Sequence, residues 1–237
     1  MDLIAITLAR LACFFELQGL DPFGKTTDLQ AIKELAKRYS FEKWPQTFAE
    51  LNFVKGIELS AGTCNGINVD KVSLYTNGIA IDTRSSTDDC ETVLHDLFGA
   101  ATEMLGAKIK TYRRMFVSQL VFQSEMRLTA LNPVLQKIVD RLNTHVSADL
   151  EQPFVFDSNV VMSADLSQSK LTPGGFTIER RADAPFQAKT YFSSAPLRTS
   201  VHLELLQEFE DALKGTHPSD SGDLHKKPSR AIRLQEE

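Results

Sequence analysis

Cysteine is scarce in this chain. Three residues among 237, Cys13, Cys64 and Cys90, stand far apart with no C-x-x-C pair. An odd, scattered set offers neither a disulfide framework nor a cysteine zinc site, so reduced thiols in the cytosol are the expectation. The five histidines, His95, His145, His202, His217 and His225, form no i, i+4 pair and no H-E-x-x-H frame, and no G-x-S-x-G elbow occurs. Long apolar runs are missing too. Leu3–Phe15 is the strongest, but Arg10 interrupts it and it falls short of the roughly 20 residues a bilayer-spanning helix needs. It is read as a buried strand or core helix, with no membrane partner. Positive charge is not in excess, since the formal net charge is -5, and this disfavours a dedicated nucleic-acid binder.

What is present is ordinary globular material, 42% apolar and 24% charged, enough to build a core. Leu29, Ile32, Leu35, Ala36 and Tyr39 recur on one face and predict a helix over Asp28–Tyr39. Val69–Thr76 and Ile79–Thr83 flank Asn77-Gly78, a strong hairpin signal. Ser85–Asp89 supplies N-caps for a helix over Asp89–Leu105 that stops at Gly106, with Asp88 and Glu91 spaced as a capping box. Met115–Phe122 reads as a strand buried on both faces. Pro133 opens a helix whose Leu135, Ile138, Val139 and Leu142 form one stripe. Phe154–Met162 reads as a strand. Phe176–Arg181 and Lys189–Ser193 form a second hairpin, and Thr199 caps a last helix over Ser200–Leu213. From Thr216 onward few apolar residues remain, so residues 216–237 are expected to be a disordered tail.

These elements predict an α+β fold: a mainly antiparallel sheet built from β-hairpins, with about four helices packed on one face. Val69–Gly106 and Phe176–Gly215 share a grammar of hairpin, Ser-containing turn and Gly-closed helix. A diverged duplication and two unrelated β-β-α units would both produce it. A division into 1–128 and 129–215 is expected, with one continuous domain equally economical.

Three stretches could carry chemistry. Gly19, Gly24, Lys25 and Thr26 satisfy the phosphate-loop pattern G-x-x-x-x-G-K-[ST], in which Lys reaches the terminal phosphate and Thr holds Mg²⁺. Pro22 removes a backbone donor from that loop, Asp21 and Asp28 oppose an anion, and Phe23 crowds Gly24. The antiparallel hairpin at Asn77-Gly78 also denies the motif its parallel-sheet scaffold. The second stretch, Asp82, Arg84, Ser85, Ser86, Asp88 and Asp89, could hold an anion or a hard cation, although helix capping accounts for most of these residue types. The third is Lys108–Arg114, four cations beside Tyr112, suited to nucleic acid, to an acidic partner or to the solvated start of a strand. Cys90 lies among acidic neighbours and about 140° around the helix from His95, so it makes no nucleophile pair.

The reading that results leans away from an enzyme. The expected function is a non-catalytic protein-binding or assembly protein of the cytosol, acting on another protein or on a second copy of itself, with no cofactor. The alternatives are an Mg-nucleotide-binding protein using Gly19–Thr26 and an anion or metal module at Asp82–Asp89.

Overall fold

A computed structural model describes residues 1–18, 28–106, 108–131, 133–151, 153, 155–163, 165 and 174–215. The predicted tail and the whole Gly19–Thr26 motif lie outside the described residues.

Eight strands form one open, wholly antiparallel sheet in the order β2-β3-β4-β1-β5-β8-β7-β6. They are β1 (Asp2–Gln18), β2 (Ile57–Cys64), β3 (Ile67–Tyr75), β4 (Gly78–Thr83), β5 (Lys108–Gln123), β6 (Val160–Met162), β7 (Phe176–Arg180) and β8 (Thr190–Ala195). The helices are α1 (Asp28–Arg38), α2 (Thr87–Leu105), α3 (Pro133–Asp149) and α4 (Thr199–Gly215). The apolar run at the start is therefore a strand. The strand predicted over Phe154–Met162 is confined to its last three residues, and the one predicted at Met115–Phe122 begins seven residues earlier.

Alternation decides which face of the sheet is covered. Ala9, Leu11, Cys13 and Phe15 of β1 are buried, as are Ile79 and Ile81 of β4, Val72 of β3, and Leu120 and Phe122 of β5. Each is two residues from its neighbour and so shares a face. Ile32, Leu35 and Ala36 of α1 and Cys90, Val93, Leu94 and Leu97 of α2 pack on this face at one end. Leu206 and Leu213 of α4 pack on it at the other. A side chain such as Leu11, fully buried, stabilises the fold by about 2 kcal/mol through removal from water. The opposite face carries the intervening residues, among them Arg10 and Asp82, which are cross-strand partners.

The element order repeats. A strand, a helix, three strands and a helix run from β1 to α2, and the same succession runs from β5 to α4. The sheet order reads the same when the halves are exchanged, β2-β3-β4-β1 against β6-β7-β8-β5. The two stretches of shared grammar are the matching outer portions of these halves.

Two turns refine the sequence reading. The β3–β4 hairpin exists, but Tyr75 pairs with Gly78, so Thr76 and Asn77 form the turn and Gly78 opens the strand. The Asn-Gly signature is instead used at Asn65-Gly66. There Cys64 pairs with Ile67, and both turn residues have positive φ, 51° and 81°, the geometry of a type I′ hairpin.

Nearby glycines are expected to respond differently to substitution. Gly62→Ala places its Cβ 2.4 Å from the ring of buried Phe41 and is expected to cost about 2 kcal/mol. Gly66→Ala meets open space and is expected to cost only the left-handed backbone penalty, about 1 kcal/mol. Urea unfolding of the two variants measures the difference, and a Gly62→Ala protein as stable as the parent would contradict this packing.

Candidate functional site

The residues singled out around the start of α2 do not converge on one point. Ser86 is the N-cap, its Oγ accepting the Asp89 N–H at 3.0 Å. This sets the cap two residues before the predicted capping box. Arg84 pairs with Asp70 at 2.7 Å, and Ser85 Oγ donates to Thr83 Oγ1 at 3.4 Å. Arg84, Ser85 and Asp89 share the wall of a cavity of about 350 Å³ with Gly66, Asn68 and Asp70. Asp88 accepts from Arg198 at 3.1 Å. Asp82 turns to the other face of the sheet, where Arg10 grips both carboxylate oxygens at 2.6 and 2.7 Å. Such a forked pair is strong and planar, and Asp82 is buried beneath it. The strand leading toward Gly19–Thr26, β1, runs antiparallel to both of its neighbours.

The densest polar constellation lies where the two halves meet. Buried Thr87 and Thr199 stand at the first positions of α2 and α4 and cap each other across the junction. The Thr87 N–H donates to Thr199 Oγ1 at 3.1 Å, and the Thr199 N–H donates to Thr87 Oγ1 at 3.0 Å. Each hydroxyl thus satisfies a donor that its partner's helix leaves open. Beside them Arg198 donates to both oxygens of Glu91 at 2.8 and 2.9 Å, and Arg114 adds a bond at 2.9 Å. The hydrogen bond from Arg198 leads in holding the Glu91 carboxyl below its ordinary range. The Arg198 guanidinium also lies 4.2 Å over the Phe116 ring. Sequence reasoning expected Thr199 to cap α4, whereas its hydroxyl serves α2; it missed this cluster because α4 and the segment before it meet α2 and β5 only through tertiary structure.

The three thiols, Tyr39 and His202 are buried in structural roles. Burial pushes the Cys90 thiol up to about 11, while its Sγ contacts Thr83 Oγ1 and the Ala9 carbonyl. Burial and the neighbouring Asp96 also raise Cys64 to about 11, and Tyr39 donates to that same carboxylate at 2.6 Å. Burial raises Cys13 as well. Neutral thiols are poor nucleophiles. His202 is fully buried, and burial lowers its pKa to about 4. Its Nδ1 lies 2.7 Å from Ser118 Oγ and its Nε2 lies 2.8 Å from Ser193 Oγ. Ser193 Oγ donates to the Thr177 carbonyl at 2.6 Å, so it accepts from Nε2–H; Ser118 Oγ faces two acceptors, the Leu197 carbonyl at 3.1 Å and the closer Nδ1, and donating to Nδ1 keeps the buried ring neutral. The ring is satisfied without charge and closed off from solvent. Among the described residues, no three His, Cys, Asp or Glu side chains stand where they could hold a metal ion. No protein-family model matches the sequence, and no curated protein matches it.

Two outcomes follow from this geometry. Thr87→Val and Thr199→Val each strand a buried N–H, and each is expected to cost about 1–2 kcal/mol. Because each removes one bond of a shared pair, the double variant should depart clearly from additivity. A double-mutant cycle by chemical unfolding measures this, and strict additivity would show that the two caps act independently.

For His202 the folded pKa lies below the unfolded value of 6.5. As pH falls from 6.5 toward about 4, the unfolded chain binds a proton that the folded chain refuses, and stability is lost. The slope is about 1.4 kcal/mol per pH unit. Glu210 acts lower. Burial alone would raise its pKa, but bonds from the Met1 amino group, Ser124 and Lys214 outweigh it and hold the carboxyl near 2. Its contribution is lost only as pH falls from 4.5 to about 2. Unfolding free energies between pH 6.5 and 4.5 should therefore fall more steeply in the parent than in His202→Gln. Parallel profiles would count against the buried neutral ring.

Proposed function

We propose that the protein is a non-catalytic binding or assembly protein of the cytosol, holding another protein or a second copy of itself. One observation carries this reading. The stripe predicted on α3 is turned outward, with Leu135 40%, Ile138 50% and Leu142 43% exposed, and Val134 beside it is 62% exposed. Of its members only Val139 is buried. Leu131, in the turn just before the helix, extends the stripe and is 45% exposed.

A run of large apolar side chains at helical spacing, left in water, forfeits about 1 kcal/mol or more per residue relative to burial. Contiguous patches of this kind mark surfaces that another chain covers. The repeat within the fold sharpens the contrast. Helix α1 holds the same place in the first half and buries Ala31, Ile32, Leu35 and Ala36 against the sheet. The buried thiols and the closed His202 network support the non-catalytic part of the reading, since these groups are committed to the interior.

A photoreactive benzoylphenylalanine at position 142 tests the proposal in the native host. The expected result is one discrete cross-linked adduct, whose mass distinguishes a second copy from a different protein. The adduct should be lost when Ile138→Glu is added, with the thermal unfolding temperature unchanged within a few degrees. No discrete adduct, or one indifferent to Ile138→Glu, would overturn the reading.

A further inference from the structure

The two central strands are far longer than the strands beside them. Strand β1 pairs with β5 along its whole length, from Asp2↔Gln123 to Gln18↔Lys108. On the other side of β5, β8 covers only Ser118–Gln123. Among the described residues, the stretch Lys108–Val117 therefore has a neighbour on one side only. The side chains of residues 110–114 are exposed, Tyr112 at 61%. A strand so placed presents a row of N–H and C=O groups ready to pair with a further strand.

The charges along this edge say which strand. Arg114 is engaged with Glu91, but among the described residues no carboxylate lies within ion-pair distance of Lys108, Lys110 or Arg113. A second copy docking edge to edge would set cations against cations, which is unfavourable for directly opposed pairs. An acidic chain meets the opposite situation. Nucleic acid is the weaker fit, because it would leave the strand's backbone groups unused and would approach a chain of net charge -5.

We propose that the outer edge of β5 over Lys108–Val117 accepts an extended acidic segment of another protein as a ninth, antiparallel or parallel, strand. Backbone hydrogen bonds supply the docking, and Lys108, Lys110 and Arg113 select carboxylates on the incoming chain. This goes beyond the binding role carried by α3 by naming the chemistry of a partner, and it uses a separate surface.

The test uses the full chain and a fluorescein-labelled decapeptide of alternating glutamate and valine, followed by anisotropy. Binding is expected, weakening as salt rises because exposed charges are screened. Lys110→Glu/Arg113→Glu should weaken it about tenfold or more, with the unfolding temperature unchanged. Methylating alternate peptide amides should abolish it, and amide hydrogen exchange should slow at residues 108–117 when the unmodified peptide is added. Ile138→Glu on α3 should leave it intact, so failure of the edge and failure of the helix surface are separable. No binding, equal binding of the methylated peptide, indifference to the double charge reversal, or tighter binding of a labelled single-stranded oligonucleotide would each overturn the proposal.

Discussion

The pairing of β1 with β5 is the constraint from which the rest of the architecture follows. β1 has 17 residues and β5 has 16, against six in each of β4 and β8 beside them, so neither outer set of strands can cover their full length. The outer pairings begin at one shared point. Ala9 pairs with Ser118, Ala9 also pairs with Thr83 of β4, and Ser118 also pairs with Ala195 of β8. Beyond that point on either side the chain leaves the sheet to start α2 or α4. The two helix N-termini are thereby brought together, and Thr87 and Thr199 can cap each other. A register slip of one residue would turn every side chain of β1 or β5 to the other face. It would also separate the two threonines, so the ladder and the caps specify the same alignment.

Matching positions in the two halves carry different chemistry. Three residues into α2 stands Cys90, which contacts the Ala9 carbonyl; three residues into α4 stands His202, which contacts Ser118. In each case the side chain reaches the central pair. The small thiol needs little, whereas the imidazole requires a hydroxyl at each ring nitrogen to avoid a buried polar atom without a partner. Ser118 and Ser193 meet that requirement. The helices between the strands differ more. The apolar face of α1 closes the core of the first half, while α3 contributes little beyond Val139 and turns its stripe to solvent. The same topology yields one half that is self-sufficient and one that displays an apolar surface.

Local chemistry made much of this legible in the sequence. Periodicity located the helices, Gly106 closed α2 in the left-handed conformation, and hairpin signals gave the antiparallel sheet. The sequence reading took one Asn-Gly pair as a hairpin signal and passed over the other. Asn65-Gly66 and Asn77-Gly78 look alike, yet only the first takes the I′ turn. At the second, pairing of Tyr75 with Gly78 shifts the turn by one residue and makes Gly78 a strand residue, 3.2 Å from the Cys13 carbonyl at its would-be Cβ. Periodicity also cannot say what covers an apolar stripe. For Leu135, Ile138 and Leu142 nothing local separates a stripe that faces the sheet from one that faces away from it. The Arg198–Glu91 and Arg10–Asp82 pairs were illegible for a simpler reason: their members meet only through tertiary structure.

The face of the sheet opposite α1, α2 and α4 raises the question of why it should not be the binding surface. Its central rows answer this. Arg10 and Asp82 lock together across β1 and β4, and Lys71 of β3 reaches Glu58 of β2 at 3.2 Å. These charges interrupt what would otherwise be an apolar field running from Phe14 and Ala12 to Val117. Burying them under a partner would cost several kcal/mol of desolvation per ion, against a Coulombic gain the pairs already possess. The stripe on α3 loses only hydration of apolar surface when covered, and Lys108, Lys110 and Arg113 at the edge of β5 have no carboxylate within ion-pair distance among the described residues. Desolvation therefore ranks the three surfaces: covering the helix stripe or the strand edge costs less than covering the broad face between them.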